Sequence, residues 1–256
     1  MGISAVPLRA ASSNPICPLA LKFKRLGVDG DALELVVRAI KRRVHVAAGD
    51  DVVSADGTMK HVTLLSAGVA CSYKRSENGG RAILAFHHPG DFCDLSRYVL
   101  PERDDAVGVQ ALTDCSVCII DYRDFERLLA KSELALAFWR ATMLEAAIYR
   151  ERLAIARDGT ALERVAHLLC EQLARREAVG IDSNRLPLSQ IDIADAAGLS
   201  VVHVNRTIQT LRSLNVLSKA CHLEVIDRKQ LVQIAQFDGR YLNMPRLLPN
   251  WSVRVE

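Results

Sequence analysis

Apolar and polar positions divide the chain into three textures. From Asp31 the apolar residues Leu33, Val36, Val37 and Ile40 recur at helical spacing, which predicts one short helix. The basic run Lys41-Arg42-Arg43 reads as its solvated C-terminal end, favoured there by the helix dipole. Between Val44 and Leu128 the pattern becomes short apolar runs punctuated by Gly49, Gly57, Gly68, Asn78-Gly79-Gly80 and Pro89-Gly90-Asp91. Turn signals at that spacing predict antiparallel strands near 45–47, 63–65, 69–73, 82–86, 107–111 and 116–121 in a sandwich or barrel, with the tightest hairpin at Asn78-Gly79.

After Tyr122 the period is helical again. Ala137, Ala141, Leu144, Ile148 and Ile155 alternate at spacings of three and four, with Glu151 in the missing register, a pattern that resembles a coiled-coil seam. A second apolar face carries Leu136, Met143 and Ala147, so the helix can dock on its own domain and on a partner. Asp158-Gly159 ends it. Thr160-x-x-Glu163 is a capping box that opens a new helix with Leu162, Val165, Ala166, Leu169 and Leu173 on one face. The first 30 residues, with Pro7, Pro15, Pro18 and Ser12-Ser13-Asn14, suit an extended N-terminal tail.

The segment from Pro187 to Leu211 carries the most chemistry. Ser189 and Asp192 cap one helix, Ala194 is the small residue at a helix crossing, and Gly198 supplies a tight turn that needs positive φ. Ser200 caps a second helix whose inner face is Val204, Ile208 and Leu211. This is helix-turn-helix spacing. Val201, Val202, His203, Asn205, Arg206 and Gln209 point outward from the second helix. Arg206 and Asn205 have the donor geometry for guanine and adenine edges, while Val202 offers only contact with a thymine methyl. Gln190 and Arg212 are placed for phosphates. Val216-Leu217, Ser218-Lys219-Ala220, and Leu223, Val225 and Ile226 then predict a small β-hairpin, a wing with Lys219 near its tip.

Bulk charge adds little. The net charge is +3, and the stretch from Thr160 onward has 12 basic against 10 acidic residues, so a nucleic-acid partner rests on the motif. Half of the 256 residues are apolar and a quarter charged, which excludes a disordered chain, and no apolar run reaches the roughly 18 residues of a membrane span. Arg9 is followed by no apolar block of the secretory kind, so a cytoplasmic protein is expected. Seven scattered cysteines, an odd number, fit reduced thiols. Cys71, Cys170 and Cys221 read as small buried hydrophobes. Cys115-Ser-Val-Cys118 has metal-site spacing, but residues three apart on a strand face opposite ways. His87, His88 and Cys93 beside a turn have the ligand types for haem or a metal, but the histidines read as satisfied loop residues.

The glycine ladder, Pro89-Gly90-Asp91-Phe92, the helix from Thr160 to Leu169 and the run Leu199-Ser-Val-Val-His-Val-Asn-Arg206 together resemble the Crp/Fnr superfamily of bacterial transcription regulators over roughly residues 30–240. The resemblance implies an α+β fold: an N-terminal antiparallel, jelly-roll-like β-roll over 31–131, a dimerisation helix over 132–158, a winged helix-turn-helix over 159–240, and a C-terminal tail over 241–256. It implies a homodimer that binds palindromic double-stranded DNA through Gln190, Ser200, Val202, His203, Asn205, Arg206, Gln209, Arg212 and Lys219, with RNA polymerase as a further partner and no membrane. Arg206 matches the guanine-reading arginine of the family, and Val202 stands where many members have a glutamate.

The effector pocket departs further. Members that bind a cyclic nucleotide carry a Gly-Glu pair and an Arg-Ser or Arg-Thr pair; here Cys93-Asp94 and Asp105-Ala106 correspond, with Arg103 the nearest guanidinium. A carboxylate about 4 Å from the cyclic phosphate repels it by roughly 4 kcal/mol at an effective dielectric near 20. The chain is therefore expected not to answer to cyclic AMP. Of the N-terminal cysteines that hold an iron–sulfur cluster in oxygen-sensing members, only Cys17 is present, so no cofactor, neither haem nor a cluster, is expected. Two other classes compete. A cupin-like metal enzyme needs an alternating His-x-His where the chain has His87-His88, and no P-loop, nucleophile elbow or His-Glu-x-x-His helix is present, so no enzyme is expected. A cyclic-nucleotide-type sensor module without DNA binding leaves the helix-turn-helix unexplained.

Overall fold

The structure, a computed structural model, describes residues 18–55, 60–77, 79–100, 107–244 and 251. The chain forms two compact units, Met1–Arg75 with Phe86–Met143, and Ser76–Ala85 with Leu144–Glu256.

The described strands are β1 (Arg42–Val46), β2 (Asp51–Val53), β3 (His61–Ala67), β4 (Ala70–Arg75), β5 (Arg81–His87), β6 (Val107–Ala111) and β7 (Cys115–Asp121), all in the first unit but for Arg81–Ala85 of β5. They make a three-stranded sheet in the order β1-β7-β3 and a four-stranded sheet in the order β2-β6-β4-β5. The pairings of β1 and β3 with β7, and of β2 and β4 with β6, are antiparallel. Alternation along β7 feeds two cores. Cys115, Val117 and Ile119 pack with Val53, Leu65, Val109 and Ala111 between the sheets, while Cys118 and Ile120 face the helices on the outer side. The two cysteines of the Cys-x-x-Cys spacing thus sit in different cores, as the strand period requires.

Helices α1 (Pro18–Arg25), α2 (Gly30–Ala39), α3 (Leu95–Val99), α4 (Tyr122–Leu129) and the long α5 (Ser132–Asp158) follow the chain. The outer face of β3 and β7 is covered by α1, α2, α4 and the start of α5, around Phe92, whose ring lies 6.0, 6.1 and 5.4 Å from Phe23, Phe125 and Phe138. This corrects the expected tail over 1–30 where it is described. Leu19 and Phe23, one helical turn apart, are buried, and Lys22 Nζ lies 2.5 Å from the Asp91 carboxylate. Gly90 has φ +92°, and a Cβ there would collide with the Lys22 side chain, so the Pro-Gly-Asp turn requires its glycine. The basic run is also corrected: α2 stops at Ala39, Lys41 pairs with Asp124 at 2.6 Å, and Arg42 and Arg43 open β1. Strand β2 lies outside the expected set. Asn78 of the expected tight turn lies outside the described residues, but Ser76 N donates to Gly80 O at 2.8 Å and closes the hairpin.

In the second unit the central helix is α6 (Ala161–Glu177), opened by the predicted capping box at Thr160 and Glu163 and buried from Val165 to Arg175. Against it pack α7 (Gln190–Ala197), α8 (Val201–Ser213), α9 (Arg228–Ala235) and a 3-10 turn at Gly239–Leu242. The expected C-terminal tail over 241–256 is likewise corrected where it is described. Leu242 and Met244 are buried, and Trp251 is 1% exposed; its indole donates to Glu177 (3.1 Å) and its carbonyl accepts from Gly239 N (3.0 Å). No described helix is long and apolar enough to cross a membrane.

Candidate nucleic-acid interface

The two helices of the motif are held by local chemistry at each end. Ser189 Oγ accepts from Asp192 N (3.1 Å) and Asp192 Oδ2 from Ser189 N (2.9 Å), a reciprocal box that satisfies two donors at the start of α7. Gly198 ends α7 at φ +63°, the left-handed conformation predicted for it. Ser200 Oγ then accepts from His203 N at 3.2 Å and starts α8. Ala194 is buried at the crossing, and Val204, Ile208 and Leu211 form the inner face of α8. The α8 residues left outward are Val202, His203, Asn205, Arg206 and Gln209, all exposed as predicted.

The structure redistributes the roles around them. Asn205 Nδ2 donates to Gln190 Oε1 at 3.1 Å, so Gln190 braces a base-reading candidate. Arg212 is corrected: its guanidinium turns inward and donates to Ser218 O (3.1 Å) and Ala220 O (2.8 Å), which places it as a strut of the wing. The wing is reduced to bridges, Leu217 with Val225 and Arg185 with Glu224, and Lys219 is exposed near its tip. Ser200 is committed to its cap. Ile191 and Val201 are further exposed apolar residues of the motif. Arg81 was not among the sequence candidates; its Nη2 lies 2.6 Å from Asp192 Oδ1 and its Nε 2.7 Å from Asp195 Oδ2. No local pattern announces it, because its partners lie more than 100 residues away.

The structure places the residues of the expected seam as follows. Ala137 and Ile148 are buried within the protomer and Ala141 packs on the core of the first unit, so the series Ala137, Ala141, Leu144, Ile148, Ile155 is not the face open to a partner. Leu144 and Ile155 are half-buried. The exposed stripe of α5 is Leu136, Trp139, Met143 and Leu153, which with Ala146 and Arg150 completes a heptad register one step round the helix.

Of the expected effector residues, Arg103, Asp105 and Ala106 lie outside the described residues, as does Cys17. Cys93 is buried, and Asp94 Oδ1 accepts from Thr63 N at 2.8 Å. Burial pushes the Asp94 carboxyl up to about 7, against the opposing pull of the Thr63 hydrogen bonds and the Arg97 charge. Arg97, unforeseen from the sequence, donates to the carbonyls of Ser54 (2.8 Å), Ala55 (3.2 Å) and Val107. The turn histidines are buried; His87 Nε2 lies 2.6 Å from Ser72 Oγ, and His88 N donates to Asp91. Cys71 and Cys170 are buried and burial pushes the Cys170 thiol well up, but Cys221 is exposed, a correction to its reading as a core residue. Among the described residues no group of three or more His, Cys, Asp or Glu side chains is placed to hold a metal.

Comparison with known proteins covers both units. Residues 163–234 match the family described as Crp-like helix-turn-helix domain, and residues 43–132 the cyclic nucleotide-binding domain. The chain is 27% identical over 233 residues to the transcriptional activator protein FnrL of Cereibacter sphaeroides, covering 87% of this chain and 92% of that protein. It is 29% identical over 188 residues to the nitrogen fixation regulation protein FixK of Azorhizobium caulinodans, covering 72% and 74%. The solved structure of FixK2 from Bradyrhizobium japonicum superposes with a TM-score of 0.65 at 25% identity, covering 75% of this chain and 96% of that one.

Proposed function

Because this chain belongs to the Crp/Fnr superfamily of DNA-binding transcription regulators, we propose that it binds a palindromic duplex as a homodimer, through α8, and without cyclic AMP. The observation that carries the reading is the outward face of α8, where Arg206 and Gln209 stand exposed on a helix capped at Ser200 and backed by Val204, Ile208 and Leu211. Arg206 reads a guanine, and Asn205, braced by Gln190, an adenine. Two-fold symmetry sets inverted half-sites one helical turn apart, about 10 base pairs or 34 Å. The exposed stripe on α5 supports the homodimer. The working protein is cytoplasmic, and RNA polymerase is its further partner by resemblance.

Replacing Arg206 with alanine is expected to cost roughly 1–3 kcal/mol at one base pair of the site and to relax preference there. Binding to a duplex selected by the wild-type chain from a random pool, and to its single-base variants, measures this. An unchanged base preference would sink the assignment.

Independence from cyclic AMP rests on how the first unit spends its polar groups. Asp94 is tied to Thr63 N, and the Arg97 guanidinium is spent on the carbonyls of Ser54, Ala55 and Val107. A cyclic phosphate needs such a guanidinium to offset its desolvation. Calorimetric titration with cyclic AMP and cyclic GMP is expected to give no saturable heat; micromolar saturable binding overturns the reading. The same reading includes neither haem nor an iron–sulfur cluster, and visible absorption bands in protein purified without oxygen would contradict it.

A further inference from the structure

The second compact unit includes the hairpin segment Ser76–Ala85, and one side chain of that segment touches the DNA-reading motif. Arg81 lies between two carboxylates of α7, Asp192 at 2.6 Å and Asp195 at 2.7 Å. The three side chains are only 17%, 14% and 21% exposed. Asp192 and Asp195 are three residues apart on one helix face, where like charges repel. A guanidinium that reaches both with separate nitrogens offsets this repulsion in a fixed geometry, which the single, flexible ammonium of a lysine holds less well.

Asp192 has a second task on its other oxygen. Oδ2 accepts from the backbone N (2.9 Å) and the hydroxyl (2.7 Å) of Ser189, which sets the first turn of α7. The next residue, Gln190, accepts from Asn205 on α8. A continuous line of hydrogen bonds and one peptide link therefore runs from Arg81 through Asp192, Ser189 and Gln190 to Asn205. Without Arg81 the Asp192 carboxylate faces Asp195 uncompensated, and the start of α7 carries two negative charges where a helix-turn-helix meets phosphates.

We propose that Arg81, on the β4–β5 hairpin, is a positioning residue of the helix-turn-helix, setting base discrimination by holding Asp192 and, through it, the Gln190–Asn205 pair. This rests on the DNA-binding reading above. It separates from a plain surface-charge effect, because loss of one surface cation weakens all duplexes by a similar factor.

The experiment measures fluorescence anisotropy of the full-length chain on two duplexes, one selected by the wild-type chain from a random pool and one unrelated, across a salt series. Arg81→Ala is expected to lower the ratio of the two affinities by about tenfold, between the effects of breaking an exposed and a fully buried ion pair. Arg81→Lys is expected to fall between, and Asp195→Asn in the Arg81→Ala background to recover part of the ratio by removing the repulsion. Circular dichroism checks the fold of each variant. If Arg81→Ala does not fold, the Lys variant and Asp195→Asn alone carry the test, each with a reduced ratio expected. An unchanged ratio in the folded variants, or Arg81→Ala and Asp195→Asn effects that simply multiply, overturns the proposal. A wild-type chain that selects no duplex fails the DNA reading and this inference with it; selection by the wild-type chain beside an unchanged ratio fails this inference alone.

Discussion

A chain with Met143 and Leu153 both replaced by glutamate is expected to sediment as a monomer and to lose roughly 100- to 10,000-fold in affinity for an inverted-repeat duplex. The two side chains are 49% and 73% exposed in the protomer, so the substitutions remove little from its own core. In a dimer built on the heptad stripe, they place four carboxylates at the centre of an apolar seam, where each must be stripped of water without a partner. The loss on DNA follows from geometry: each half-site then binds alone, and the second contact is no longer intramolecular. The other face of α5 behaves differently. Ile148→Glu buries a charge inside the protomer, where Ile148 is 4% exposed, and is expected to unfold the second unit at a cost on the order of 3 kcal/mol or more. Analytical ultracentrifugation with thermal unfolding distinguishes the two. A folded double-glutamate chain that remains dimeric would remove the stripe Leu136, Trp139, Met143 and Leu153 from the interface.

The faces of α5 show where sequence patterning runs out. Both faces of the helix carry small or large apolar residues at spacings of three and four, and that period is blind to which face meets its own domain. Burial decides it: Ala137 is buried with Phe138 and Leu134 in the first core, whereas the bulkier Trp139 and Leu153 are left outside. The helix-turn-helix, by contrast, was legible almost residue by residue. Its caps at Ser189, Gly198 and Ser200 act over three or four residues, so local sequence contains the whole cause. The strands were legible through their period of two, and β2 escaped because three residues, Asp51-Val52-Val53, are too few to show alternation.

The terminal segments were hidden for a related reason. Trp251 stands in a stretch with no periodicity, and its partners Glu177 and Gly239 are supplied only by the tertiary fold. Arg212 and Arg97 carry the same lesson in polar form. An arginine in a sequence advertises a charge, but whether the charge meets phosphate or the backbone carbonyls of Ser218 and Ala220, or of Ser54 and Ala55, depends on loops folded back from elsewhere.

Stability is expected to fall by up to about 3 kcal/mol between pH 5 and pH 8 because of Asp94 alone, and Asp94→Asn is expected to abolish that fall. The carboxyl is 5% exposed, and burial lifts its pKa from the ordinary 3.8 to about 7. The folded chain thus holds this proton more tightly than the unfolded chain throughout the interval between those values. Stability from this group is fully present below the unfolded pKa, declines as pH rises, and is lost above the folded pKa. From pH 5 to 7 the decline is two pH units at about 1.4 kcal/mol each. Asparagine keeps an oxygen to accept from Thr63 N, which Asp94 does at 2.8 Å, and never ionises, so the variant gains on the wild type as pH rises. Arg97 opposes the effect, since its charge favours the carboxylate; Arg97→Ala is therefore expected to steepen the fall. Calorimetric unfolding of wild type and Asp94→Asn at pH 5 and pH 8 provides the check, and a stability difference that is the same at both pH values would show that Asp94 is ionised in the fold across the whole range.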